Sequence, residues 1–167
     1  MTDGTVSTDT GESWITIERT YDASAEQVWE LWTTRQGIES WWGPDGFTVE
    51  VRTLELRPGG ELRHAMTATA VPQVEFMKNA GMPLTTESRK TYTEVVTGER
   101  LAYTSLADFI PGVAAYEFAT VVELLPDPEG VRVVMRVEPM HDEQWTQRLI
   151  AGRENELDNL ARVLAGA

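Results

Sequence analysis

The sequence predicts an α+β domain in which one curved antiparallel sheet wraps a single long helix at the C-terminal end of the chain. Only residues 142–165 carry apolar side chains at spacings of three and four over more than five turns. Most of the preceding chain alternates apolar and polar residues in short runs, as half-buried strands do, and turn residues join these runs into hairpins. A long helix with one apolar face needs a surface to cover, and the sheet is the surface available.

The predicted C-terminal helix has one apolar stripe and several charged directions. The stripe consists of Leu149, Gly152, Leu157, Leu160, Ala161 and Leu164. The other faces of the helix carry the charged residues Arg148, Arg153, Glu154, Asp158 and Arg162. Asp142 is a suitable N-cap, because its carboxylate can accept a hydrogen bond from an unpaired backbone N–H of the first turn.

The N-terminal region predicts a tail, one strand and two short helices. Residues 1–12 contain mostly Thr, Ser, Gly and Asp and are expected to be disordered, which leaves 13–167 as a single domain. In residues 14–21 apolar and polar side chains alternate, which predicts a first strand. Ser24 and Gln27 form a capping box that begins a first helix, and a second helix over 35–42 ends before Gly43 and Pro44.

Six further strands are predicted as three hairpins, over 47–56 and 61–70, 89–97 and 100–107, and 115–125 and 131–137. Residues 71–88 interrupt this meander and carry Pro72 and Pro83. They are too apolar for a solvated linker. Two interpretations remain open: a short helix or lid over a cavity mouth, or an ordinary long connection that tucks its own apolar residues down.

Composition excludes several classes of function. The chain of 167 residues has a formal net charge of −13, which repels nucleic-acid backbones and anionic bilayers. It has no cysteine and two histidines, so neither a thiolate site nor a histidine-rich metal centre is expected, and no cofactor is predicted. No apolar run is long enough to insert into a membrane, and no secretory leader is visible, so a cytoplasmic location is expected. A monomer and a homodimer both remain possible.

The order of elements and several short motifs resemble a known fold. The motifs are Ile17-Glu18-Arg19-Thr20-Tyr21-Asp22-Ala23, Val28-Trp29, Trp41-Trp42-Gly43-Pro44, Phe47-Thr48, Leu56-Arg57-Pro58-Gly59-Gly60, Tyr92-Thr93-Glu94-Val95-Val96 and Glu99-Arg100-Leu101. Together they resemble the helix-grip fold of the START and Bet v 1-like (SRPBCC) superfamily, and within it the activator of Hsp90 ATPase homologue 1-like (AHSA1) family. The resemblance implies a deep apolar cavity between the sheet and the long helix, without implying one function.

The predicted ligand-binding residues are those expected to face this cavity. They are Trp42, His64, Met66, Tyr92, Tyr103, Tyr116, Phe118, Trp145 and Arg153. His64 is also the candidate acid or base, although a histidine satisfied at the sheet rim is the interpretation that the sequence favours. Arg153 could lean inward and bind a carboxylate, but the sequence favours an arginine whose charged head reaches water.

Three functions are compatible with these features. The leading one is a protein that binds a small hydrophobic or aromatic molecule between sheet and helix. The second is a cyclase or dehydratase-like enzyme acting on a bound aromatic or polyketide-like substrate, with His64 and a tyrosine as acid and base. The third, an interaction domain linked to the chaperone Hsp90, follows from the resemblance alone.

Overall fold

The computed structural model describes residues 4–8, 14–108 and 110–166. Its strands are β1 Gly4–Thr8, β2 Ile15–Tyr21, β3 Phe47–Leu54, β4 Glu61–Ala68, β5 Thr85–Val96, β6 Arg100–Ala107, β7 Tyr116–Asp127 and β8 Gly130–Val137. Its helices are α1 Ala25–Thr33, α2 Arg35–Trp41, α3 Val71–Asn79 and α4 Glu143–Gly166. All neighbouring strands are antiparallel, in the order β1-β2-β8-β7-β6-β5-β4-β3.

The predicted α+β helix-grip arrangement is confirmed. Strand β2, helices α1 and α2, strands β3 to β8 and helix α4 occur in the predicted order, with α3 between β4 and β5. The Ser24 hydroxyl accepts a hydrogen bond from the Gln27 backbone N–H at 3.0 Å, which caps α1. Asp142 likewise accepts from the Trp145 backbone N–H at 2.8 Å and so caps α4. No helix in the described ranges is long and apolar enough to cross a membrane.

The structure differs from the prediction at the N-terminus, where Gly4–Thr8 forms a strand instead of a disordered tail. Strand β1 pairs with β2 and places Val6 opposite Ile17. Without it, β2 would expose a row of unpaired backbone groups at the sheet edge. Backbone pairing of this kind depends little on side chains, so composition does not reveal it. The other residues of the predicted tail, 1–3 and 9–12, lie outside the described residues.

The interrupting segment is a short helix followed by an early strand. Helix α3 spans Val71–Asn79 with Pro72 in its first turn, and β5 begins at Thr85, before the predicted Arg89. Met77 is buried, whereas Val71 and Phe76 are 68% and 65% exposed. The alternative in which this segment tucks its apolar residues down is therefore wrong for these two side chains.

Helix α4 lies on the concave face of the sheet, which two irregularities in strand pairing help to bend. They lie between Val51 and Thr53 in β3 and between Tyr92 and Glu94 in β5. An extra residue in one strand of a pair bends that strand and increases its twist. The concavity produced in this way leaves room for α4, which contacts β2 and α2.

The predicted stripe of α4 is correct at Leu157 and Leu160, both 0% exposed, but wrong at Gly152, which is exposed. Arg153 takes the inward position instead, because 153, 157 and 160 follow the spacing of one helix face. Asn159 is buried as well. The helix therefore presents three polar side chains to the interior, those of Thr146, Arg153 and Asn159, that an apolar stripe did not predict.

Candidate functional site

Strand register places a group of polar side chains on the concave face. Lys90 of β5 lies opposite Ser105 of β6, which lies opposite Phe118 of β7. In the next inward-facing row, Tyr92 lies opposite Tyr103 and Tyr103 opposite Thr120. Because side chains alternate between faces along a strand, both rows point toward α4.

A cleft of ≈ 220 Å³ opens between these strands and the N-terminal half of α4. Its lining consists of Ser88, Lys90, Ser105, Leu106, Phe118, Leu149, Gly152, Arg153 and Glu156. The resemblance implied a deep apolar cavity, whereas this cleft is open and carries charged and hydroxyl side chains beside its apolar lining. The interior beside it, around Trp32, Leu101 and Val122, is packed so closely that a water molecule does not fit.

Arg153 is buried in this site rather than extended to water, so the arrangement that the sequence favoured for it is wrong. The residue is 6% exposed. Its guanidinium donates to the Thr120 hydroxyl at 3.3 Å and to the Glu156 carboxylate at 3.5 Å. Burial lowers the pKa of Arg153, but Tyr103 and Glu156 favour the cation more strongly, so the pKa is raised overall. Arg153 is thus a permanent positive charge inside the protein.

Lys90 brings a second cation to the same space. It is 8% exposed, and its ammonium donates to the Ser88 hydroxyl at 3.3 Å. The Nζ atom lies 5.3 Å from the centre of the Trp42 ring and 6.0 Å from that of Tyr103. Burial and the charge of Arg153 lower the pKa of Lys90 to about 8, although Glu156 opposes the shift. Lys90 therefore remains largely protonated at pH 7.

His64 of β4 lies next to this group, with its ring edge-on to Trp42 at 5.2 Å between centroids. Burial and the nearby charges of Lys90 and Arg153 lower the pKa of His64 to about 3. Neither ring nitrogen has a hydrogen-bond partner among the described residues, unlike a histidine satisfied at the rim. A general acid or base works best with a pKa near the operating pH, so this environment does not favour proton transfer by His64.

Trp41, the last residue of α2, and Trp42, which follows it, have different surroundings. Trp41 is 1% exposed and donates its indole N–H to the Leu31 carbonyl at 2.8 Å. Trp42 turns about a right angle away, with an interplanar angle of 81°, and faces Lys90 and His64. Trp41 is therefore part of the packed core, while Trp42 lies beside the polar side chains of the site.

The remaining predicted residues divide between the interior and the rim. Tyr92 is buried edge-on to Tyr103 at 6.4 Å, and its hydroxyl has no partner within the described part of the chain. Burial raises the pKa of both tyrosines. Met66 is half-buried farther along β4.

Tyr116 and Trp145 lie at the rim, beside the start of α4. The Tyr116 hydroxyl lies 2.9 Å from His141 Nδ1 and accepts a hydrogen bond from the His141 backbone N–H at 3.2 Å. The Trp145 ring contacts that of His141, and Tyr116 packs against Phe118. Only Phe118 and Arg153 among the predicted residues line the cleft directly.

Sequence reasoning did not identify Lys90, Ser105, Thr120 and Glu156 as site residues. Lys90 had a usable signal, because it lies two residues before Tyr92 in the same strand and must share its face. Glu156 lies three residues after Arg153, one helical turn away. No group of three or more His, Cys, Asp or Glu residues in the described ranges could hold a metal ion.

The architecture, a curved antiparallel sheet around a long helix with a site between them, defines a helix-grip protein. Residues 22–165 match the family described as activator of Hsp90 ATPase homolog 1-like protein, and the chain belongs to that family. No curated protein matches the chain.

Solved structures share this fold at low sequence identity. A protein from Arthrobacter aurescens is 20% identical with a TM-score of 0.75, covering 98% of this chain and 92% of its own. One from Mycobacterium smegmatis is 18% identical, with a TM-score of 0.74 and coverage of 98% and 99%. A third, from Chromobacterium violaceum, is 24% identical, with a TM-score of 0.72 and coverage of 90% and 95%. At these identities the similarity establishes the fold alone.

Proposed function

We propose that this protein binds a small molecule with an aromatic or hydrophobic body in the cleft between the sheet and α4. The observation that carries the proposal is the combination of an open cleft with buried polar groups that lack partners. The Ser105 hydroxyl, in a residue only 4% exposed, lines the cleft and has no hydrogen-bond partner in the described ranges. Buried polar groups are normally satisfied, so unused groups around a cleft support a bound partner.

The size of the cleft limits the ligand. Its ≈ 220 Å³ is smaller than the about 300–1,000 Å³ of sites that take drug-sized molecules. A compound with one ring and a short polar substituent matches that volume better than a polyketide or a lipid. The Phe118 ring and the Leu149 side chain supply apolar contacts for such a body.

Binding can be measured through tryptophan fluorescence, because Trp42 borders Lys90, which lines the cleft. We expect saturable changes when single-ring compounds such as phenylacetate, benzyl alcohol and indole are titrated. A Trp42→Phe variant should lose most of the signal, whereas isothermal titration calorimetry of that variant should still detect binding.

A blocking variant tests the location. Gly152 lines the cleft, and a Cβ atom added there would meet no atom within 4 Å. Gly152→Trp should therefore fold normally while its indole obstructs the cleft. Ala151→Trp, at the neighbouring exposed position outside the lining, is the matched control. Binding that survives Gly152→Trp unchanged, or no binding by any compound of the set, would refute the proposal.

The site gives less support to the other two functions. An enzyme using His64 would need a tyrosine hydroxyl in hydrogen-bond reach of its ring, and the described residues contain no such bond. A role with Hsp90 follows from the family description and not from the site. We expect no cofactor or membrane insertion; the cytoplasmic location and the oligomeric state remain predictions.

A further inference from the structure

We propose that the cleft selects ligands that carry a carboxylate, and that Lys90 and Arg153 together bind this group. The inference rests on the proposed function and specifies the chemical class of the ligand. It is carried by two buried cations on facing elements of one cleft, Lys90 on β5 and Arg153 on α4.

Hydrogen-bond donors exceed acceptors at this end of the cleft. The Lys90 ammonium has three N–H donors, and Ser88 accepts from it at 3.3 Å. The Arg153 guanidinium has five donors; Thr120 and Glu156 accept from its two terminal nitrogens, while Nε has no partner in the described ranges. A ligand group that only accepts, and accepts several bonds at once, fits this arrangement. An ionised carboxylate has two oxygens with these properties.

The local charge also favours an anion. Lys90 and Arg153 contribute two positive charges, and Glu156, with a side chain 27% exposed, contributes one negative charge. His64 is neutral near pH 7, since its pKa is lowered to about 3. The sum is one uncompensated positive charge in a largely buried space, which is unfavourable unless an opposite charge joins it.

This positive interior is not a consequence of a basic chain. The protein has 27 acidic and 14 basic residues, and Lys90 is one of only two lysines. The single excess charge matches a monoanion. A phosphate dianion would bring one negative charge too many and would be repelled by the nearby Glu156 carboxylate. A ligand carboxylate therefore fits the site better than a phosphate.

Matched ligand pairs provide the test. Calorimetric titration of the full chain at pH 7 compares phenylacetate with phenylacetamide, which has nearly the same shape without the charge, and with benzylphosphonate. We expect phenylacetate to bind about ten- to a hundredfold more tightly than the amide, the range for hydrogen bonds to charged groups. Phenylacetate should also bind more tightly than the phosphonate.

Paired variants locate the effect. Lys90→Met and Arg153→Met should each weaken phenylacetate binding more than phenylacetamide binding and so remove most of the preference for acid over amide. Lys78→Met and Arg148→Met, at exposed positions outside the cleft, are the matched controls and should retain it. Near-ultraviolet circular dichroism checks that each variant is folded, and the acid–amide pair in the unaltered protein needs no variant.

The outcomes separate this inference from the proposed function. If phenylacetamide binds as tightly as phenylacetate, or if both Lys90→Met and Arg153→Met retain the preference, carboxylate selection is wrong while small-molecule binding stands. Tighter binding of the phosphonate would replace carboxylate by phosphate-type recognition and would also overturn the inference. If neither compound nor any neutral single-ring analogue binds, both proposals fail together.

Discussion

The two halves of α4 contact the same sheet in different ways. In the C-terminal half, Leu157 and Leu160 are 0% exposed, and the Leu157 carbonyl accepts a hydrogen bond from the Tyr21 hydroxyl at 2.9 Å. The buried Asn159 amide donates to the carbonyls of Trp41 and Gly43, each at 3.3 Å. In the N-terminal half, Leu149 and Gly152 border a cleft, and donors of the buried Arg153 remain unused.

Two buried arginines show the same difference. Arg19 of β2 and Arg153 of α4 are each 6% exposed. Arg19 has two carboxylates nearby, Asp158 at 3.5 Å and Glu154 at 3.9 Å, so its charge is fully compensated by the protein. Arg153 has Glu156 at 3.5 Å, and that carboxylate also acts on Lys90. The protein thus supplies two carboxylates for the charge of Arg19, whereas Arg153 shares its one carboxylate with a second cation.

Paired truncations along α4 should produce the largest contrast. Leu160→Ala removes a fully buried side chain from the packed half and should lower the free energy of unfolding by about 2–5 kcal/mol. Leu149→Ala, at the half-buried border of the cleft, should cost only about 1 kcal/mol, because less apolar area is lost. Urea denaturation followed by circular dichroism measures both. Equal losses would contradict the division of the helix into a packed and an open half.

Asn159→Ala should give the next largest effect. The substitution leaves the backbone carbonyls of Trp41 and Gly43 without their donor, and an unsatisfied buried polar group costs about 1–3 kcal/mol. Asn155→Ala, at an exposed position of the same helix, is the control and should change stability by less than about 0.5 kcal/mol. Denaturant unfolding again provides the measurement, and equal effects would argue against a structural role for the Asn159 amide.

The fold was predictable from the sequence to the extent that it depends on periodicity and caps. The Ser24 capping box, the Asp142 N-cap and the alternation of Val131, Val133 and Met135 each specify an element locally, and the structure has each of them. Strand β1 was missed because its pairing uses the backbone edge of β2 and leaves no apolar pattern.

The site was less predictable, because its polar members break the patterns that identify buried faces. Arg153 was assigned to water since a buried arginine is rare unless paired, and its partner Thr120 lies 33 residues away in the sequence. Lys90 was overlooked although its alternation with Tyr92 placed it on the inner face. Strand register, which the sequence does not specify, is what brings Lys90 opposite Ser105.

His64, which lies next to the polar side chains of the cleft, should make the stability of the protein depend on pH. Folding lowers the pKa of His64 from 6.5 to about 3, so the unfolded chain takes up a proton there first as the pH falls. Stability should therefore decrease from about pH 6.5 downward, with a contribution from His64 of at most about 1.4 kcal/mol per pH unit. His64→Leu should remove that part of the slope in denaturant unfolding at a series of pH values. Identical slopes would show that the ring is protonated equally well in the folded state.

The smallest effect on stability is expected for Lys90→Met, and its sign is the most informative. If Lys90 were a structural cation like Arg19, its removal would destabilise the protein. In a site whose positive charge awaits an anionic ligand, replacing the buried ammonium by an apolar side chain of similar length should leave stability at pH 7 unchanged or raise it by about 1 kcal/mol.

Folding lowers the pKa of Lys90 from 10.5 to about 8, in the presence of Arg153, Glu156, Tyr103 and the neutral His64. As the pH rises, the unfolded chain therefore keeps the Lys90 proton to a higher pH than the folded protein does. The unaltered protein should gain stability between about pH 8 and pH 10.5. Any advantage of Lys90→Met should shrink over the same interval, whereas a clear loss of stability at pH 7 would make Lys90 part of the packed structure and not of an open site.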